Sequence, residues 1–184
     1  MIKATDENIK SLVDEGIKKY GPNADLNYID TSNVTDMSEL FKLIDFDGDI
    51  SGWDTHNVIN MSNMFYKCPF NGDISRWDVH NVKDMSNMFC CSMFNQDISG
   101  WDVSSVADMH AMFAYSIFNQ DISSWDIHNV VNMSNMFFAC NYDQEITFDV
   151  DLKILFNKNI DNDYEYNDYV DRRKLKLLES LCMA

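Results

Sequence analysis

Positive charge is scarce in this chain: 14 Lys and Arg stand against 30 Asp and Glu, a formal net charge of −16. That balance argues against binding nucleic acid through its phosphates, which needs Lys/Arg patches, and against anionic membrane surfaces. It leaves cationic partners, or imitation of a polyanion. Glycine is scarce too, six residues in 184, and none forms a phosphate-cradling loop. G-x-S-x-G, H-E-x-x-H and paired C-x-x-C motifs are equally absent. No nucleophile–base pair emerges, so the chain reads as a non-enzyme without cofactor. The start MIKATDENIKSLV has no apolar signal core, and no run of ~18 apolar residues occurs. A cytoplasmic location is the expectation, with a surface location only if a longer exported parent exists. The five cysteines, Cys68, Cys90, Cys91, Cys140 and Cys182, are odd in number and fit neither a disulfide framework nor a metal spacing. Cys68 and Cys140 share one repeat position three copies apart, roughly 14 Å at ~4.7–4.9 Å per stacked strand, too far for a bridge. Reduced thiols are expected.

What the chain does have is a period. Trp53, Trp77, Trp101 and Trp125 fall 24 residues apart, and the same period aligns nearly everything from Ile29 to Phe148. Five copies start at Ile29, Trp53, Trp77, Trp101 and Trp125, each close to W-D-V-S/H-N-V-x-x-M-S-x-M-F-x-x-x-x-F-N-Q-D-I-S-x. A fixed period of 20–30 residues marks an array in which each copy packs on its neighbours. With 46% apolar and 13% aromatic residues, the composition supports a core, so this is no disordered acidic tail.

Within a copy, Ile three residues before the Trp and Val, Thr or Ile two after it give I-x-x-W-x-V. This is the spacing of the L-x-x-L-x-L core of a leucine-rich repeat. W-x-V reads as a short strand with both apolar side chains facing in. A small polar corner follows, Ser or His and then Asn. V-x-x-M-x-x-M-F, as in Val82, Met85, Met88 and Phe89, then places apolar residues on one face of a short helix. A lone copy cannot bury enough to fold, so copies must stack. Before the array, Thr5 reads as an N-cap for a helix through Ile9, Leu12, Val13 and Tyr20 that stops at Gly21-Pro22. After it come a strand-like DVDLKILF and a helix at about 168–182.

The fold expected is therefore α/β: a leucine-rich-repeat-like solenoid of five strand–short-helix copies stacked into a parallel sheet. The copies are 29–52, 53–76, 77–100, 101–124 and 125–148; residues 1–28 form an N-terminal helical cap and 149–184 a C-terminal strand and helix cap, all one structural domain.

FNQDISGWDVSSVADMHAMF and WDIHNVVNMSNMFFAC closely resemble BspA-like leucine-rich-repeat surface proteins of the mycoplasma-type short-repeat branch. The match spans all five copies, and the lead-in GPNADLNYIDTSNVTDMSELF is similar as well. The resemblance implies a solenoid for protein recognition, often in bacterial adhesion or host contact, and does not imply catalysis.

If W-x-V faces inward, the residues around it face outward. These are Asp54, His56, Arg76, Asp78, His80, Asp102, Ser104, Asp126 and His128, with Asp30 and Ser32 in the first copy. Stacked carboxylates ~5 Å apart repel by ~0.8 kcal/mol in water and ~3 kcal/mol at an effective dielectric of about 20. Three readings offset that repulsion: backbone N–H bonds at the corner, Lys/Arg of a partner, or a metal among Asp54, His56, Asp78 and His80. A second acidic ladder runs Asp49, Asp73, Asp97, Asp121 and Glu145 beside Asn71, Asn95 and Asn119, whose amides can bridge copies. Met61, Met85, Met109, Met133 and Met64, Met88, Met112, Met136 read as core. The function expected is a monomeric protein-binding module offering this Asp/His face to a protein with a basic surface, with no direct nucleic-acid or membrane contact. The alternatives are an acidic inhibitor or immunity-type protein occupying the cationic groove of a nucleic-acid enzyme, and a surface adhesin.

Overall fold

The computed structural model describes residues 1–144. The final residues of the fifth copy, the C-terminal strand and helix expected over 149–184, Glu145 and Cys182 lie outside the described residues.

The chain opens with β1 (Ile2–Lys3), then α1 (Ile9–Tyr20), then β2 (Ile29–Asp30). β1 and β2 pair in parallel, Ile2 opposite Ile29 and Lys3 opposite Asp30. The helix buries Ile9, Val13 and Gly16, with Leu12 and Ile17 partly buried against the same core. Lys18 and Lys19 occupy its last turn, where cations complement the helix dipole. Gly21 ends it at φ 89°, a conformation that favours glycine. Thr5 is not its N-cap: Asn8 holds that position. Thr5 instead opens a preceding turn, donating its N–H to Asn8 Oδ1 at 2.8 Å.

From Pro22 onward each segment lies against the one 24 residues later, in register. Phe41, Phe65, Phe89, Phe113 and Phe137 stack at 5.4, 5.5, 5.8 and 5.7 Å between ring centroids. A second column, Phe46, Phe70, Phe94, Phe118 and Tyr142, runs beside it at 6.0 to 6.3 Å. The two columns also touch within each copy, as Phe89 and Phe94 do at 4.0 Å. Trp53, Trp77, Trp101 and Trp125 are 3–4% exposed, and each indole Nε1–H donates to a carbonyl 27 residues earlier, Leu26, Ile50, Ile74 and Ile98, at 3.1–3.2 Å. The tryptophan column is thus both core and tie between copies.

Backbone pairing does not fall on W-x-V. Parallel bridges join Asp36 to Asn60, Asn60 to Asp84, Asp84 to Asp108 and Asp108 to Asn132. The reason lies in the aspartate after each Trp. Its Oδ1 accepts the main-chain N–H two residues on, as Asp78 does from His80 at 3.3 Å, and that local turn diverts the amide from strand pairing. Array pairing also begins earlier than Ile29, with Asp25 bridged to Asp49 and the Asp47 N–H donating to Pro22 O at 3.0 Å. Gly48 sits at this first junction, where a Cβ would lie 2.1 Å from the Ala24 carbonyl oxygen.

Nor does V-x-x-M-x-x-M-F form a helix; among the described residues α1 is the only one. Over residues 61–68 alternate amides close tight turns, Met64 N–H to Met61 O and Tyr66 N–H to Asn63 O. The intervening amides of Met61, Asn63, Phe65 and Lys67 donate to Asp84, Ser86, Met88 and Cys90 of the next copy at 2.9–3.0 Å. An α-helix would consume every amide internally; here half of them cross. Two positions per copy, four residues apart, adopt a left-handed φ between 51° and 61°, and the first of them holds Asn63, Asn87 and Asn135. Asn tolerates that conformation better than other non-glycine residues.

Candidate recognition surface

Each copy turns three corners, and an acidic or amide side chain holds each one. At the corner after the Trp, His56, His80 and His128 donate Nδ1–H to Oδ1 of Asp54, Asp78 and Asp126 at 2.6, 2.6 and 2.5 Å. A carboxylate can only accept, so this contact fixes the tautomer and leaves Nε2 as the outward nitrogen. In the fourth copy Ser104 Oγ donates to Asp102 at 2.6 Å, and in the first Ser32 Oγ donates to Asp30 at 2.7 Å. The pairs stay open to water: the His80 and Asp78 side chains are 47% and 51% exposed, and those of His128 and Asp126 are 65% and 58% exposed. No second carboxylate oxygen of Asp54, Asp78, Asp102 or Asp126 has a protein partner among the described residues.

Neighbouring copies lock the corner. Asn57, Asn81 and Asn129 donate Nδ2–H to the carbonyls of Ser32, His56 and Ser104 at 2.7–2.8 Å. Thr31 and Thr55 donate their hydroxyls to Asp54 O and Asp78 O at 2.9 Å. The hydrogen bonds outweigh the mutual repulsion of the column. His80 holds Asp78 below the usual carboxylate range, Ser104 does so for Asp102 against the opposing charge of Asp126, and His128 does so for Asp126. Arg76 is exposed and acts on Asp73 of the next column, so the structure does not draw it into the Asp/His pairs.

That second column repeats the device. Asp49, Asp73, Asp97 and Asp121 accept the N–H of Ser51, Ser75, Ser99 and Ser123 at 2.8–2.9 Å. The serine amide is the chief cause holding each carboxyl low. Beside it, the amides of Asn71, Asn95 and Asn119 bridge copies: Asn95 N–H donates to Asn71 Oδ1 and Asn119 N–H to Asn95 Oδ1, both at 2.8 Å.

A third column was not singled out from sequence. Asp36, Asn60, Asp84, Asp108 and Asn132 accept the N–H of Ser38, Ser62, Ser86, His110 and Ser134 at 2.7–3.2 Å. Its signal is D/N-M-S, the same Asx-x-Ser spacing as D-I-S and D-V-S. His110 belongs here, its Nδ1 2.9 Å from Ser134 Oγ. Cys68 and Cys140 are core, donating Sγ–H to the Phe46 and Phe118 carbonyls at 3.3 and 3.2 Å. Burial pushes these thiols up to about 11 and about 12. No group of three His, Cys, Asp or Glu among the described residues is placed to hold a metal ion, and no helix among them is long and apolar enough to cross a membrane.

The class these observations define is a tandem-repeat protein with a 24-residue unit and acidic corner columns. The chain belongs to the family described as Mycoplasma protein of unknown function, DUF285, which matches over residues 8–116 and 69–170. No curated protein and no solved structure matches it.

Proposed function

We propose that this chain is a non-enzymatic binding module, a leucine-rich-repeat-like solenoid related to the BspA-like surface proteins. Its Asp/His column, centred on Asp54, His56, Asp78, His80, Asp102, Ser104, Asp126 and His128, meets Lys and Arg side chains of a protein partner. One observation carries this reading. The third column makes the same corner with Asn60 and Asn132, so a neutral amide suffices for the turn. The column after the Trp nevertheless has a carboxylate in every copy, with one oxygen turned to solvent. The negative charge is more than the corner requires. It is held on a backbone locked by the neighbouring copies, which lowers the ordering cost of binding.

The test is capture of partners by the full chain and by a variant carrying Asp54→Asn, Asp78→Asn and Asp102→Asn, shown to be folded by circular dichroism. A partner retained by the native chain, lost by the variant and released by salt supports recognition through the column. Equal capture by both overturns it. The charge of −16 and the regular carboxylate spacing favour one second reading, a surrogate for a phosphate backbone. In that case the captured partner is a nucleic-acid enzyme, and the chain inhibits it in competition with nucleic acid.

A further inference from the structure

Two thiols stand outside the logic of the repeat. The position of Cys68 and Cys140 holds Ser92 and Ser116 in other copies, small buried groups that all bond inward. The position of Cys90 instead holds Lys42, Tyr66, Ala114 and Phe138, and that of Cys91 holds Leu43, Lys67, Tyr115 and Ala139. Packing therefore does not ask for sulfur at either place. Yet the Sγ atoms of Cys90 and Cys91 are 3.7 Å apart, in contact but far beyond the ~2.05 Å of a disulfide.

The ladder holds this arrangement. Cys91 takes a left-handed φ of 58°, as every residue at its position does, and its N–H donates to Ala114 O at 2.8 Å. The Cys90 carbonyl accepts the N–H of Lys67 at 3.0 Å. Both main chains are fixed between neighbouring copies, so the sulfurs are already together before anything binds. They lie in a small cluster apart from the main core, with Tyr66, Ala111, Ala114, Tyr115 and Phe138. Cys90 is buried and Cys91 half-buried. Lys67 and Lys42 place their ammonium groups 5.4 and 5.9 Å from the Tyr66 ring centre, a local concentration of cations that favours thiolate.

We propose that Cys90 and Cys91 form a two-thiolate site for a soft monovalent cation of the copper(I) class. Soft thiolates select such an ion, whereas zinc takes four ligands and the described residues supply no third His, Cys, Asp or Glu nearby. Binding is ligand exchange without redox change. Two S–H bonds release their protons to water and two sulfur–copper bonds form, so a +1 ion and two thiolates give a complex of charge −1.

The full chain, reduced and kept without oxygen, is titrated with copper(I) against a chromogenic copper(I) chelator. The native chain is expected to retain one ion and release two protons. Cys90→Ala and Cys91→Ser should each weaken binding at least tenfold, and Cys90→Ala is expected to fold because Ala114 fills that position. Cys68→Ser and Cys182→Ser should leave binding unchanged, with Ser92 and Ser116 as precedent for the first. Complete loss of copper from the native chain to the chelator overturns the proposal, as does equal retention by the Cys90 and Cys91 variants when circular dichroism shows them folded.

Discussion

Removing the Asp6 carboxylate should loosen the start of the array in a way that depends on pH. In later copies the amides of Lys83, Ala107 and Val131 donate to the carbonyls of Ile59, Lys83 and Ala107 one copy earlier, at 2.8–2.9 Å. The first copy has no predecessor. Asp6 takes that place: Oδ1 accepts the N–H of Thr35 at 2.7 Å and of Asp36 at 3.0 Å, and Oδ2 accepts the Thr35 hydroxyl at 2.7 Å. A carboxylate thus stands in for the missing carbonyl. Hydrogen bonds to a charged group are worth about 1.5–3 kcal/mol each when buried, but Asp6 is exposed and water replaces much of what is lost. Allowing for that screening, Asp6→Ala should cost about 1–2 kcal/mol at pH 7. Burial pushes the Asp6 carboxyl up, and the bonds from Thr35 and Asp36 outweigh it, leaving it below its ordinary value. A depressed carboxyl contributes stability above its unfolded value, near ~3.9, and loses it as pH falls through the lower folded value. Urea unfolding of the native chain, Asp6→Ala and the control Glu7→Gln at pH 7 and about pH 3 should show a gap for Asp6→Ala that narrows in acid. Glu7, whose Oε2 accepts only a 3.5 Å contact from Thr5, should show almost none. A gap equally wide at both pH values would refute the carboxylate argument.

Gly48→Ala should destabilise by more than about 2 kcal/mol, because a Cβ 2.1 Å from the Ala24 carbonyl forces backbone to move. Gly100→Ala, with nothing within 4 Å, should be near neutral, and paired thermal melts decide it. Trp101→Phe keeps the ring but leaves the buried Ile74 carbonyl without its indole donor at 3.1 Å, a cost of about 1–3 kcal/mol in chemical denaturation. Because Asp49, Asp73, Asp97 and Asp121 are all held low by serine amides, the melting temperature should fall as pH drops below the unfolded carboxylate value near ~3.9. A flat profile from about pH 5 to about pH 2.5 would contradict the corner bonds.

The buried positions were legible in the sequence because side chains repeat at the period. The Met61 and Met64 columns, Phe89, Trp77 and Val79 are buried as their spacing required, and Asp78 and His80 stand exposed beside them. Backbone conformation was less legible, since V-x-x-M-x-x-M-F fits one face of a helix and one face of a turn ladder equally well. What separates the two is where the amides go, which spacing alone does not encode. The telling residues were Asn63, Asn87 and Asn135, asparagines at left-handed positions within M-S-N-M. The strand assigned to W-x-V failed for a related reason: Asp78 bonds its own backbone two residues on. Asx-x-Ser occurs at three corners of the copy, and reading all three would have located the turns.

The same comparison separates structure from charge. A corner needs an acceptor at Oδ1, and Asn60 supplies one at 2.9 Å as well as Asp84 does at 2.8 Å. Substituting Asn for Asp78 therefore preserves the acceptor and removes only the charge and part of the attraction for His80. Substituting Ala removes both. If the carboxylates existed for the turn alone, the first and second columns could mix Asn with Asp as the third does. They do not in any described copy, although packing like charges in a stack is unfavourable. A cost that the turn does not demand has to be offset by something outside the chain, and a row of cations on a partner is the chemistry that offsets it.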